Sequence, residues 1–203
     1  MDVTTFQSKP PLPRSFYNRP TLTVAKEMLG KFLVHKIADT MLAGKIVETE
    51  AYIGETDPAC HAAGGKTART ALMYGPPGFA YIYFIYGMYY CLNAVTEGEE
   101  FPAAVLIRGV EPLAGIENMT QFRGMPAGKN LTNGPGKLSI AFDLNKNQNG
   151  LDLCGDRLYL IEGSQIEEKN IVTTTRIGIN VGTDFPWRFY VKNNPFVSKQ
   201  KQG

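Results

Sequence analysis

Phe79-Ala80-Tyr81-Ile82-Tyr83-Phe84-Ile85-Tyr86 leads through Gly87-Met88 into Tyr89-Tyr90-Cys91-Leu92-Asn93-Ala94-Val95-Thr96, and a polar link then leads into Ala103-Ala104-Val105-Leu106-Ile107-Arg108-Gly109-Val110. These are three runs rich in aromatic and branched residues, joined by short glycine-containing or polar connections. That pattern predicts an antiparallel meander. Two polar residues stand out inside it. Arg108 interrupts an apolar strand, where a buried guanidinium needs an anionic or carbonyl partner. Asn93, two residues after Cys91, can offer hydrogen-bonding groups to whatever enters a nearby pocket. Tyr81 and Tyr83 share one strand face by period-2 parity. The same parity puts Tyr86 on the other face, just before Gly87, as a projection from a hairpin tip.

Upstream, Gly44-Lys45-Ile46-Val47-Glu48-Thr49-Glu50-Ala51-Tyr52 reads as a further strand, with Val47, Thr49 and Ala51 on one side and Glu48, Glu50 and Tyr52 on the other. Two carboxylates on one face start roughly 7 Å apart, the span of two strand steps. An ionised carboxylate in an apolar setting is costly unless paired or used, so this face is the first candidate for chemistry. Arg108 is a natural partner for either glutamate. The residues leave open whether such a pair divides acid and base roles as in a sugar or nucleoside hydrolase, forms a core salt bridge, or presents one carboxylate to water.

Before this strand, Lys31 to Lys36 begins the strand-rich part. Thr23 to Gly30 predicts a short helix with a threonine cap and a terminal glycine. Residues 1–20, with four prolines, predict an extended arm feeding the domain. After the meander, Ile116 to Phe122 predicts a helix, and Met125 to Asn130 a loop. Asn133-Gly134-Pro135-Gly136-Lys137-Leu138 reads as a glycine-rich turn that lacks P-loop or dinucleotide spacing. Strands are expected at Arg157 to Ile161 and around Ile171 to Val181. Residues 193–203 read as a surface tail, leaving 21–192 as one domain.

His61, in Asp57-Pro58-Ala59-Cys60-His61, lies in a loop of small residues and, with Tyr52 and Tyr83, can line a pocket. His35 lies in an apolar run and reads as a core or edge residue. A metal set built from His61, Glu50, Cys60 and Asp57 matches no standard spacing. A Cys60-His61 nucleophile pair is disfavoured because adjacent side chains point apart. Three well-separated cysteines suit a reducing cytoplasm. The start of the chain lacks the charge and apolar core of a signal, and no apolar run is long enough to span a bilayer. At 203 residues, 43% hydrophobic and with net charge +2, the chain suits one soluble, intracellular domain; so small a charge neither announces nor excludes nucleic acid.

Taken together, Ala25 to Lys31, Ile46 to Tyr52, Ala59-Cys60-His61, Tyr81 to Asn93, Val105 to Pro112, Asn133 to Leu138, Arg176 to Ile179 and Pro186 to Phe189 resemble the alkyladenine, or methylpurine, DNA glycosylase family. The resemblance covers nearly the whole chain. It implies a single compact α/β (α+β) domain with a curved antiparallel sheet flanked by helices. It further implies a monomeric, monofunctional hydrolase that needs no metal or organic cofactor. Its partner would be double-stranded DNA carrying damaged purines. Glu50 would activate water, with Arg108 positioning both. Tyr52, His61, Tyr83, Asn93 and Ala59 would enclose the everted base, Tyr86 would fill the gap in the duplex, and Glu48 would be structural. Cys60 stands where serine or alanine is expected. A non-catalytic nucleic-acid-binding module whose tyrosines only stack remains the alternative outside hydrolases.

Overall fold

A computed structural model of the chain describes residue 6 and residues 8–198. The expected meander is present as β3 (Ala80–Ile85), β4 (Tyr89–Val95) and β5 (Ala103–Ala114), each antiparallel to the next. The pattern is local enough to act without help, because side chains alternate and the turns are short.

Strands β1 (Phe32–Ile37) and β2 (Thr40–Ile53) extend the sheet, which runs in the order β3-β4-β5-β2-β1-β6 with β6 at Leu158–Ile161. β2 is the spine of the fold. Its first half pairs β1, its residues Glu48 to Glu50 pair β8 (Arg188–Val191), and from Ala43 to Ile53 it pairs β5 on the other edge. β7 (Ile171–Thr174) adds to β8, giving eight strands in one curled antiparallel sheet among the described residues.

Register shifts in the β2–β5 pairing fall around Glu48, so that Val47 and Arg108 have no paired residue opposite. Extra residues of this kind bend a strand and re-aim its side chains. Here Arg108, at the irregularity, reaches both Glu48 and Glu50 on the neighbouring strand.

Among the described residues, four short α-helices accompany the sheet: α1 (Arg14–Tyr17), α2 (Thr21–Glu27), α3 (Ile116–Arg123) and α4 (Pro135–Ala141). α2 packs on β2 and β5, and α4 on β4 and β5. The core between them and the sheet is apolar, with Val24, Met28, Ile46, Leu92, Ile107, Leu138 and Phe142 fully or almost fully enclosed. Burying a side chain of this size contributes roughly 1.5–3 kcal/mol.

Several expectations from sequence change here. α2 begins at Thr21 and no threonine side chain caps it. Glu97 instead accepts the Thr21 N–H at 2.6 Å and its hydroxyl at 2.8 Å, closing the helix start from another segment. The Asn133–Leu138 turn becomes the first turn of α4, with Pro135 at its start, where the missing N–H costs nothing. The strand expected around Ile171 to Val181 ends at Thr174, and β8 replaces the rest. Within the proline-rich N-terminal segment, Leu12 and Tyr17 are buried in the core. Residues 1–5 and 7 of the arm, and 199–203 of the tail, lie outside the described residues.

Candidate active site

β2, β3, β4 and β5, the 57–61 loop, the start of α4 and the 176–179 segment surround a cleft of about 870 Å³. That size is ordinary for a small-molecule site and admits a purine with part of its sugar. Tyr52, Ala59, His61, Tyr83, Asn93, Arg108 and Tyr86 all line it, so residues spread over more than fifty sequence positions converge. Glu50 is fully buried, and three residues that bond it form the wall in front: Tyr52, Arg108 and Ile177.

The two glutamates differ in how their oxygens are used. Glu48 accepts from Arg108 Nε at 3.1 Å, Arg188 Nε at 2.7 Å, the Ser198 hydroxyl at 2.7 Å and the Ser198 N–H at 2.6 Å. Glu50 accepts from Arg108 Nη1 at 3.1 Å, the Tyr52 hydroxyl at 2.9 Å and the Ile177 N–H at 2.7 Å. Burial opposes the charge on Arg108, but Glu50 and Glu48 outweigh it and hold the guanidinium protonated well above its ordinary range. Tyr52 is pushed strongly upward by burial and by neighbouring Glu50, so its hydroxyl keeps its proton and donates it to that carboxylate.

The aromatic wall is held from behind. Arg176, wholly enclosed, lies with its guanidinium 4.7 Å from the Tyr52 ring centre and 5.1 Å from that of Trp187. It grips Asp57 through two bonds, Nη1 to Oδ2 at 2.6 Å and Nη2 to Oδ1 at 2.8 Å. The other lone pairs of Asp57 receive the Ile53 and Ala59 N–H groups, so one carboxylate ties the end of β2 to the loop that carries His61. A bidentate pair fixes direction as well as distance.

His61 meets the Tyr83 ring edge to face at 4.3 Å, and its Nδ1 lies 2.9 Å from the Tyr81 hydroxyl. Burial and nearby Arg69 lower its pKa to about 4, leaving it uncharged at neutral pH. Burial pushes Tyr83 well upward. Asn93 is buried, its Nδ2 donating to the Tyr81 carbonyl at 3.0 Å, which anchors the amide at the cleft wall. Cys60 lies in a small cluster with Met73, Tyr74 and Tyr81, and burial raises its thiol to about 11.

Tyr86 does project from the β3–β4 turn, 72% exposed, but strand parity misplaces it. Its φ of 54° takes it out of the strand, and it stands over the same cleft that Tyr81 and Tyr83 line. A bulky residue at positive φ is unfavourable, and such outliers concentrate at functional sites.

Asp57, Arg176, Ile177, Arg188 and Ser198 were not assigned roles from sequence. Arg188 opens the apolar run Arg188-Phe189-Tyr190-Val191. That is the same signal that marked Arg108. The Ile177 contribution is a backbone N–H, which no side-chain pattern announces. Among the described residues, no group of three His, Cys, Asp or Glu side chains is placed to hold a metal ion, and no helix is long and apolar enough to cross a membrane.

The chain is similar in sequence to known proteins. The family description "Methylpurine-DNA glycosylase" matches residues 15–195. A protein of Alkaliphilus oremlandii named "Putative 3-methyladenine DNA glycosylase" is 51% identical over 201 residues, covering 93% of this chain and 99% of its own. Proteins of the same name from Carboxydothermus hydrogenoformans and Methanocella arvoryzae are 50% and 51% identical, covering 93% and 96% of this chain and 99% and 98% of theirs. Such likeness along nearly the whole length removes the non-catalytic binding module as an account of the chain. The fold, the converging cleft and the shared sequence lead to one conclusion: the chain belongs to the methylpurine-DNA glycosylase family, DNA-repair hydrolases that act on N-glycosyl bonds in DNA.

Proposed function

We propose that this enzyme turns a damaged purine of the 3-methyladenine, 7-methylguanine, hypoxanthine and ethenoadenine class out of duplex DNA. It then hydrolyses the N-glycosidic bond with water activated by Glu50 and leaves an abasic site for base excision repair. The observation that carries this is the unequal use of two carboxylates on one strand. A carboxylate has about four acceptor positions. Glu48 is held by two guanidinium groups, Arg108 and Arg188, and by the Ser198 hydroxyl and N–H, and of these only Arg108 lines the cleft. All three donors to Glu50 line it, and Glu50 Oε1 takes the Ile177 N–H alone, which leaves it a position for a water proton directly behind the cleft wall. A two-carboxylate sugar or nucleoside hydrolase would need Glu48 free as well, and its bonds argue against that.

A base stacked in a duplex is out of reach of water, so extrusion at a cost of a few kcal/mol comes first. Exposed Tyr86 fills the gap and offsets part of that cost. The everted base lies among Tyr52, His61, Tyr83 and Ala59. A ring-alkylated purine carries positive charge, which favours the electron-rich aromatic faces. The uncharged His61 adds no repulsion to it. Asn93, anchored through its amide, leaves no room for the exocyclic amino group of normal guanine.

As the base departs with the bonding electrons, its sugar gains oxocarbenium character beside the Glu50 carboxylate. Water oxygen bonds to the sugar carbon while Glu50 takes the proton; an alkylated, positively charged purine leaves as a neutral base, whereas hypoxanthine or ethenoadenine also takes up a proton from water as it leaves. No lysine stands at the Glu50 position to form a covalent intermediate, so the strand stays intact. The enzyme works as a monomer in the cytoplasm, without metal or organic cofactor.

The test is Glu50→Gln on a panel of lesion-bearing duplexes. Single-turnover excision is expected to fall by about 10²–10⁴-fold, the usual worth of a positioned base, with binding to damaged DNA largely kept. Excision at the parental rate would refute the assignment.

A further inference from the structure

We infer that Ser198 is a positioning residue for this hydrolysis: it locks the guanidinium of Arg108 in the orientation that meets Glu50. The inference rests on Glu50 as the base. Arg108 sits where the β2–β5 pairing shifts register, so the regular ladder does not set its direction. Its orientation has to come from side-chain partners. Each nitrogen of the guanidinium has one: Nε donates to Glu48, Nη1 to Glu50, and Nη2 to the Ser198 hydroxyl at 3.4 Å. With only the first two, a planar group can still tip about the line joining its carboxylates. The third contact, at the remaining corner, opposes that motion.

Ser198 is well suited to this use of its hydroxyl. The oxygen accepts from Arg108 Nη2 and gives its own proton to Glu48 Oε1, while its N–H goes to Glu48 Oε2. Ser198, Glu48 and Arg108 therefore close a ring of bonds on the side of Arg108 away from Glu50.

The segment delivering Ser198 is itself tied down. Arg188 Nη2 donates to the Ser198 carbonyl at 3.2 Å, Asn194 Oδ1 accepts the Phe196 N–H, and Asn194 Nδ2 donates to Glu111 on β5. It crosses β5 at Gly109, next to Arg108, where a Cβ would lie 2.6 Å from the Phe196 carbonyl oxygen. Only glycine permits that approach.

The experiment compares wild type, Ser198→Ala and Ser198→Thr as full-length chains on a duplex with a single hypoxanthine or methylated purine. It measures the single-turnover excision rate, the affinity for the damaged duplex and the thermal midpoint. Ser198→Ala is expected to lose roughly tenfold in rate, the scale of one hydrogen bond to a charged group, with affinity within twofold and a midpoint lowered by several degrees for the lost bond to buried Glu48, so that the rate measured well below the midpoint carries the decision. Ser198→Thr keeps the hydroxyl and restores the rate. A purely structural serine would lower the midpoint without moving the rate measured well below it. Positioning is overturned if Ser198→Ala excises as fast as an active wild type, or if threonine gives no rescue. Should wild type excise none of the lesions, the proposed function fails first, and the role of Ser198 falls with it.

Discussion

Asp57→Ala is expected to be among the most damaging single changes in the molecule, although Asp57 touches no reacting group. The aspartate neutralises Arg176, whose side chain has no solvent exposure and whose other hydrogen bonds among the described residues go to the Ala51 and Gly182 carbonyls. Removing one partner of a buried pair strands the other charge and costs about 3–5 kcal/mol. The Ile53 and Ala59 N–H groups lose their acceptor too, which places the total toward the upper end of that range. For a domain of this size each kcal/mol moves the thermal midpoint by about 2–4 °C, so a drop of roughly 10–15 °C is expected.

The functional consequence follows from the same bonds. Arg176 backs the Tyr52 ring, and Ala59 leads into His61, so damaged-base affinity should fall even at temperatures where the variant is folded. The assay is a melting curve paired with excision kinetics at roughly 20–30 °C below the variant's midpoint, about twice the expected shift. The double variant Asp57→Ala/Arg176→Met supplies the control, because replacing both charges with apolar groups removes the stranded cation. It should recover much of the midpoint while base affinity stays low. A midpoint within 3 °C of wild type for Asp57→Ala, on the order of the effect of 1 kcal/mol, would refute the reasoning.

Two further predictions concern the cleft. Tyr86→Ser should leave the midpoint unchanged because the ring is solvent-exposed, yet slow excision from paired DNA by roughly tenfold or more through the lost offset to unstacking; unchanged kinetics on a damaged duplex would remove the wedge. His61 sets a pH dependence of stability. Its folded pKa, near 4, lies below the ordinary 6.5, so between those values the unfolded chain binds more protons and stability falls as pH falls. With half-exposure screening part of the effect, His61→Gln should flatten the acid limb between pH 6.5 and 4 by on the order of 2 kcal/mol, read from urea midpoints at each pH; parallel limbs would sink the assignment.

Much of the sheet was legible because its signals are local. β3, β4 and β5 announce themselves by alternation and short turns, and Arg108 by being a charge in an apolar strand. Other features depend on partners far along the chain. The start of α2 is closed by Glu97, and β8 forms its ladder on β2 and β7. The Pro135-Gly136 turn is helical once packed on β4 and β5. Tyr86 was placed at the right tip but on the wrong side, since parity ends where φ turns positive.

The sequence by itself determined the meander, the polar face of β2 and the set of aromatic and polar residues that would meet there. Within the sequence only the family resemblance separates Glu48 from Glu50, because two glutamates two positions apart on one strand are equivalent to any local rule. Tertiary structure separates them. Arg188 and Ser198, from 140 and 150 positions away and outside the cleft lining, tie down Glu48, while Glu50 takes its donors from the cleft wall itself, Ile177 among them from 127 positions away. A carboxylate's chemistry is set by which of its lone pairs are taken, and folding brings in the donors that take them.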